Sequence, residues 1–198
     1  MRIPPSFAAA TLCAVFACAV HAQTTTNVKT RTIPGGMNFS YDAQHDQINA
    51  TGVQFKPAVV SSPTIAPTTG TITVTINIKT VSRFARGTAI HCSLMALGGL
   101  IDLDTGTVNG GLETANGVAM GSSGGSTSCT LTIPYSWALP AASGAESGLI
   151  LVFGASAVRA HDFGGSSNDV LRSTLQLDGI ENLPANGASS SYTFDVAL

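Results

Sequence analysis

From Ile72 the apolar residues occupy every second position, Ile72, Val74, Ile76 and Ile78, with Thr73, Thr75 and Asn77 between them. A period of two sets one row of side chains on a core and the other in water, which predicts a half-buried β-strand. After a polar break over 82–87, a second alternating run places Ile90, Cys92 and Leu94 on one side and His91 on the solvent face. Residues 127–135 alternate around Cys129, Leu131 and Ile133, and Tyr192, Phe194, Val196 and Leu198 carry the same rhythm to the last residue. The continuous apolar run 149–153 predicts a strand buried on both faces.

The remaining signals are shorter. Met37, Phe39 and Tyr41 alternate briefly before a polar turn over 42–46, and Val53 and Phe55 mark another short strand. Residues 100–104 read as a short strand, and the Gly- and Asn-rich stretch after them has only Leu112 and Val118 as anchors. Leu171, Leu175 and Leu177 fit a strand or a short helix. Residues 23–36 are Thr-rich and end in Pro34-Gly35-Gly36, which suits a flexible segment or an edge strand. Pro57, Pro63 and Pro67 mark a stretch that helices and central strands avoid, read as a long connection inside one domain. About eight to ten short strands separated by turn residues predict an all-β fold: a single antiparallel β-sandwich over 37–198, immunoglobulin-like or jelly-roll-like.

The first 22 residues stand outside that pattern. Arg2, the apolar run 7–20 and the small-x-small triplet Val20-His21-Ala22 form a secretory signal peptide with cleavage expected after Ala22. The apolar run is too short to span a membrane. A lipoprotein box ending at Cys18 is the rival reading, but Phe16 stands where a small residue is preferred. The expected address is therefore periplasmic or extracellular. Cys13 and Cys18 leave with the leader, so Cys92 and Cys129 remain, both facing the same way as core residues. In an oxidising compartment such a pair predicts one disulfide.

Charged residues make up 10% of the chain, against roughly 25% in an average soluble domain. The net charge is −2, and loss of Arg2 makes it one unit more negative. No basic stripe is present to displace counterions from phosphates, which argues against nucleic acid as a partner. No second apolar run reaches the length of a transmembrane helix.

Several residue sets carry possible chemistry. Gly121-Ser122-Ser123-Gly124-Gly125 matches the spacing of a nucleophile elbow, yet no apolar strand precedes it and no helical pattern follows, so a plain loop is expected. Asp102, Asp104 and Glu113 fall at the first, third and twelfth positions of a calcium loop, but Thr107 stands where that loop needs glycine. His45-Asp46 and His161-Asp162 are neighbouring pairs that could join a serine in a triad, a matter of geometry rather than sequence. Tyr135 and Trp137 follow a strand end, where they are expected to cap the core. The residues nominate no catalytic group, no metal ligand and no cofactor.

Gly70-Thr-Ile-Thr-Val-Thr, followed by Cys92 and Cys129, resembles a chaperone–usher pilin domain. That resemblance implies an incomplete immunoglobulin-like sandwich completed by a neighbour's strand. This chain departs from the pattern: Cys92 lies far from the start of the mature chain, and no well-formed donor strand precedes it. Trp137 lies after both cysteines, unlike the antibody arrangement. The alternating C-terminus also looks like the last strand of an outer-membrane barrel, although aromatic residues are only 6% of the chain. The expectation is an exported, non-enzymatic structural or binding module with a protein or surface partner. The alternatives are a secreted hydrolase or a small outer-membrane β-barrel.

Overall fold

The computed structural model describes residues 28–55, 68–80, 84, 88–120, 125–138, 147–159 and 169–198. Among these are eleven strands: β1 (Val28–Thr32), β2 (Asn38–Asp42), β3 (Gln47–Thr51), β4 (Gln54–Phe55), β5 (Thr68–Lys79), β6 (Thr88–Asp102), β7 (Thr107–Met120), β8 (Ser126–Trp137), β9 (Ser147–Arg159), β10 (Asp169–Asn182) and β11 (Ser189–Ala197). They form three sheets, ordered β10-β9-β6-β7-β4, β11-β5-β8 and β1-β2-β3. No helix of the described residues is long and apolar enough to cross a membrane.

Two separate cores show how the sheets stack. Ile72, Val74, Ile76 and Ile78 of β5 and Cys129, Leu131 and Ile133 of β8 pack against Ile90, Cys92, Leu94 and Ala96 of β6 and Leu149, Leu151 and Phe153 of β9. On the other side, Met37, Phe39, Tyr41 and Ile48 pack against Met95 and Leu97 of β6 and Ile150 and Val152 of β9. The five-stranded sheet is thus the middle of three layers. The expected single antiparallel sandwich is corrected accordingly, and two of the sheets are mixed: β11 pairs with β5 in parallel, and so does β4 with β7. The reason is visible in β6 and β9. Each buries both of its faces, so each needs a sheet on either side, and Leu94-Met95-Ala96-Leu97 contributes alternately to the two cores.

Cys92 and Cys129 are joined by a disulfide with their Cα atoms 6.5 Å apart, which ties the middle sheet to the β11-β5-β8 sheet. Closing a loop of this length is worth about 4 kcal/mol in the chain-entropy model.

Two segments differ from the sequence expectation. Residues 100–104 are not a separate strand, because β6 runs on to Asp102 and turns there. Asp102 holds that turn by accepting hydrogen bonds from the Asp104 and Thr105 amides and the Thr105 hydroxyl. The Gly- and Asn-rich stretch after the turn is the fourteen-residue β7, in unbroken register with β6 from Asp102↔Thr107 to Ala89↔Met120. Backbone pairing needs no apolar side chains, and the glycines make room for a neighbour: a Cβ on Gly98 or Gly111 would collide with the Trp137 ring. Val170 to Leu177, which fitted a strand or a short helix, is strand within β10.

Candidate functional site

The polar groups that converge in the interior do so where the β2–β3 turn meets the middle sheet. β2 alternates, so Tyr41 points inward and is fully buried. Its ring lies flat over Gly154 of β9, where any Cβ would strike the ring. The turn that follows ends on Asp46, whose φ of 53° is left-handed, a conformation aspartate tolerates better than most residues. This backbone bend swings the Asp46 carboxylate inward under the turn.

Three strands supply its direct partners, and a fourth supplies a partner to one of them. The Tyr41 hydroxyl donates to Asp46 Oδ1 at 2.8 Å and lies 3.0 Å from Ser156 Oγ of β9. One phenolic proton serves one acceptor, so Ser156 donates to Tyr41 and Tyr41 to the carboxylate. Ser93 Oγ of β6 lies 2.6 Å from Asp46 Oδ1 and 2.9 Å from the Asp46 carbonyl oxygen. Asn116 of β7, directly across from Ser93, donates to the same carbonyl at 3.0 Å. His91 of β6, directly across from Ser156 of β9, brings Nδ1 to 3.7 Å from Asp46 Oδ2. Burial, with the neighbouring Asp46 carboxylate adding to it, pushes the Tyr41 phenol well above its ordinary range, while the Ser156 hydrogen bond opposes the shift.

The residue types are those of a hydrolase triad, but the connections differ. Acyl transfer needs the serine hydroxyl on an imidazole that a carboxylate orients. Here the Ser93 hydroxyl is bound to the carboxylate itself, and the imidazole is beyond hydrogen-bond distance of that carboxylate. Ser93 and Ser156 are also fully enclosed, at 1% and 0% exposure. A shallow hollow of about 230 Å³ lies beside the cluster, lined by His45, Asp46, Gln47, Ser93, Thr114 and Asn116. What the arrangement achieves is attachment: five side chains from β2, β6, β7 and β9 fasten one turn to the middle sheet.

The residues singled out from the sequence fall as follows. His45 and Asp46 are neighbours that bond different partners. His45 is exposed and bonds Asp42 at 2.6 Å, and that contact holds the Asp42 carboxyl below its usual range. His91 faces the β1-β2-β3 layer rather than open solvent, which corrects the solvent-face expectation. Asp102 and Asp104 share the β6–β7 turn, but Glu113 sits opposite Ala96, roughly 20 Å along β7 at about 3.3 Å per residue. Among the described residues, no three His, Cys, Asp or Glu side chains gather to hold a metal ion. Tyr135 and Trp137 stack at 4.4 Å between ring centroids and are each 4% exposed, so they fill the core. Burial raises the Tyr135 phenol, with Tyr192 adding to the effect. Ser123, His161 and Asp162 lie outside the described residues.

Tyr41, Ser93, Asn116 and Ser156 escaped the sequence reading. A signal existed for two of them. Ser93 and Ser156 interrupt the apolar runs of strands buried on both faces, and a polar group placed there requires a partner.

A second surface is polar by regular alternation. The outer face of the β11-β5-β8 sheet carries aligned hydroxyls, with Thr73 facing Thr132 at 3.4 Å and Thr75 facing Thr130 at 3.2 Å, and Asn77 donating to Asp195 at 3.0 Å. These groups satisfy one another along the sheet, as polar side chains on a water-facing strand do.

Compared with protein-family models, curated proteins and solved structures, the chain matches none.

Proposed function

We propose that this chain is a non-enzymatic structural or binding module that works in the periplasm or outside the cell. The observation that carries the reading is the closed wiring of the interior cluster. The Ser93 hydroxyl is bound to Asp46, and Asp46 is bound in turn by Tyr41, so the groups that could serve as nucleophile and base stabilise a turn. The leader over 1–22 and a disulfide of the kind that oxidising compartments preserve support an exported address.

The test uses the purified mature chain with a fluorophosphonate probe, which labels activated serines, alongside simple ester substrates. No labelling and no turnover above buffer is the expected result. Labelling that disappears in Ser93→Ala would overturn the reading in favour of a hydrolase.

A further inference from the structure

β10 is an edge strand of the middle sheet, and its pairing with β9 is broken twice: between Val170 and Arg172, and between Leu177 and Ile180. Extra residues at such breaks reverse the inward and outward alternation of a strand and re-aim its side chains. Leu171 and Ile180, one beside each break, stand out at 38% and 45% exposure, two of the five large apolar side chains exposed among the described residues.

The surroundings of these two residues carry opposite charge. Leu171 borders a hollow of about 450 Å³ that Lys29 and Arg172 also line. Arg31, two positions from Lys29 on β1, is held against β10 by a hydrogen bond from Nε to the Leu175 carbonyl at 3.3 Å. Lys29, Arg31 and Arg172 are three of the five basic residues among those described, the others being Lys79 and Arg159. Asp169, at the start of the strand, is engaged by Arg159 at 3.6 Å. Ile180 borders a hollow of about 530 Å³ that Asp102, Asp104 and Glu181 also line. Nine residues of extended chain separate Leu171 from Ile180, roughly 30 Å at ~3.3 Å per residue. One edge strand of the middle sheet therefore carries an apolar residue beside cations at one end and an apolar residue beside carboxylates at the other.

We propose that the basic end of β10 in one copy docks on the acidic end of β10 in the next, so that the chain assembles head to tail. The occupant is a second copy because the side chains lining one hollow are opposite in charge to those lining the other, and each hollow is bordered by an exposed apolar residue of the same strand. An apolar anchor inside a charged rim is the usual anatomy of a specific interface. The two patches differ, so the contact is heterologous and leaves an unused patch at each end of the assembly, which grows until a ring closes. The proposal rests on the structural-module reading, but its test does not depend on catalysis.

The experiment is sedimentation velocity of the mature chain from about 1 μM to about 1 mM, a span that covers weak to moderate affinities, at low and high salt. Average mass should rise past that of a dimer with concentration and fall in high salt, where exposed charges are screened. Arg172→Glu and Glu181→Lys, both surface changes checked by unchanged thermal melts, should each weaken self-association at least about tenfold. Mixing the two variants brings one intact basic end to one intact acidic end, so association absent from either variant alone should return in the mixture. A misfolded variant could not give that result. Wild-type protein that stays monomeric throughout, or a mixture that stays monomeric, overturns the proposal. So does a monomer that instead binds polyglutamate through Arg172, which would assign the basic end to an acidic polymer. Fluorophosphonate labelling, by contrast, would defeat the structural-module reading and leave the assembly result standing.

Discussion

Tyr41→Phe separates the hydrogen bonds of the interior cluster from its packing. The ring stays in place over Gly154, so the change removes one oxygen and no hydrocarbon contact. At neutral pH it strands Ser156 Oγ and takes one donor from the Asp46 carboxylate. Leaving buried polar groups unmatched costs about 1–3 kcal/mol, against a total stability of about 5–15 kcal/mol. The pH dependence is a second, independent readout. Burial raises the folded-state phenol above its unfolded value of about 10. Below pH ~10 both states hold the proton and the contribution is complete. Above it the unfolded chain releases the proton first, so the unfolded state binds fewer protons and stability falls by about 1.4 kcal/mol per pH unit. Tyr135 and Tyr192 are also raised by burial and add to the alkaline loss in both proteins, so the difference between wild type and variant isolates Tyr41. Urea unfolding at pH 7, 10 and 11, with equal m-values, should show the variant less stable at pH 7 and the gap shrinking from pH 10 to 11. Equal stability at pH 7, or a gap that does not change with pH, would refute the wiring described for Tyr41.

Further expectations concern other parts of the fold. Cys92→Ala, Cys129→Ala and the double variant should each lose about 2–4 kcal/mol and match the reduced wild type in urea melts, because a single bond is lost in every case; additive losses would contradict this. Gly154→Ala should cost at least about 1–3 kcal/mol, since the new methyl enters the Tyr41 ring. Gly179→Ala, with nothing within 4 Å of its would-be Cβ, should stay within about 0.5 kcal/mol of wild type. N-terminal sequencing of the exported protein should begin at Gln23, and a start at lipid-modified Cys18 would instead place it on a membrane. Titration with an oligonucleotide at physiological salt should show no low-micromolar, salt-sensitive binding.

Much of the β-structure was legible in the order of residues. Strands with one buried face announce themselves by period two, and β5, β8 and β11 did so because one side of each meets the core and the other meets water. The disulfide was legible as well, since Cys129 stands in the apolar row of β8, Cys92 stands where the start of β6 still alternates, and the two meet across one core. β7 was not, because a strand whose stability comes from its backbone ladder and whose glycines admit Trp137 need not carry an apolar pattern.

What the residue order determined by itself was which positions alternate, and hence the β-class, the strand faces and the cysteine pair. Only the tertiary structure decided that there are three layers. A strand buried on both faces loses its alternation, so β6 and β9 record that they are enclosed but not by what. The interior cluster was likewise decided in three dimensions. Tyr41 reaches Ser156 across a separation of 115 residues, and Ser93 reaches Asp46 across 47. No local pattern encodes such a partner, because the sequence-local preference of a serine or an aspartate is the same whether it ends in water or in a buried hydrogen bond. The register of the sheets, set by the summed burial of many side chains, makes that choice.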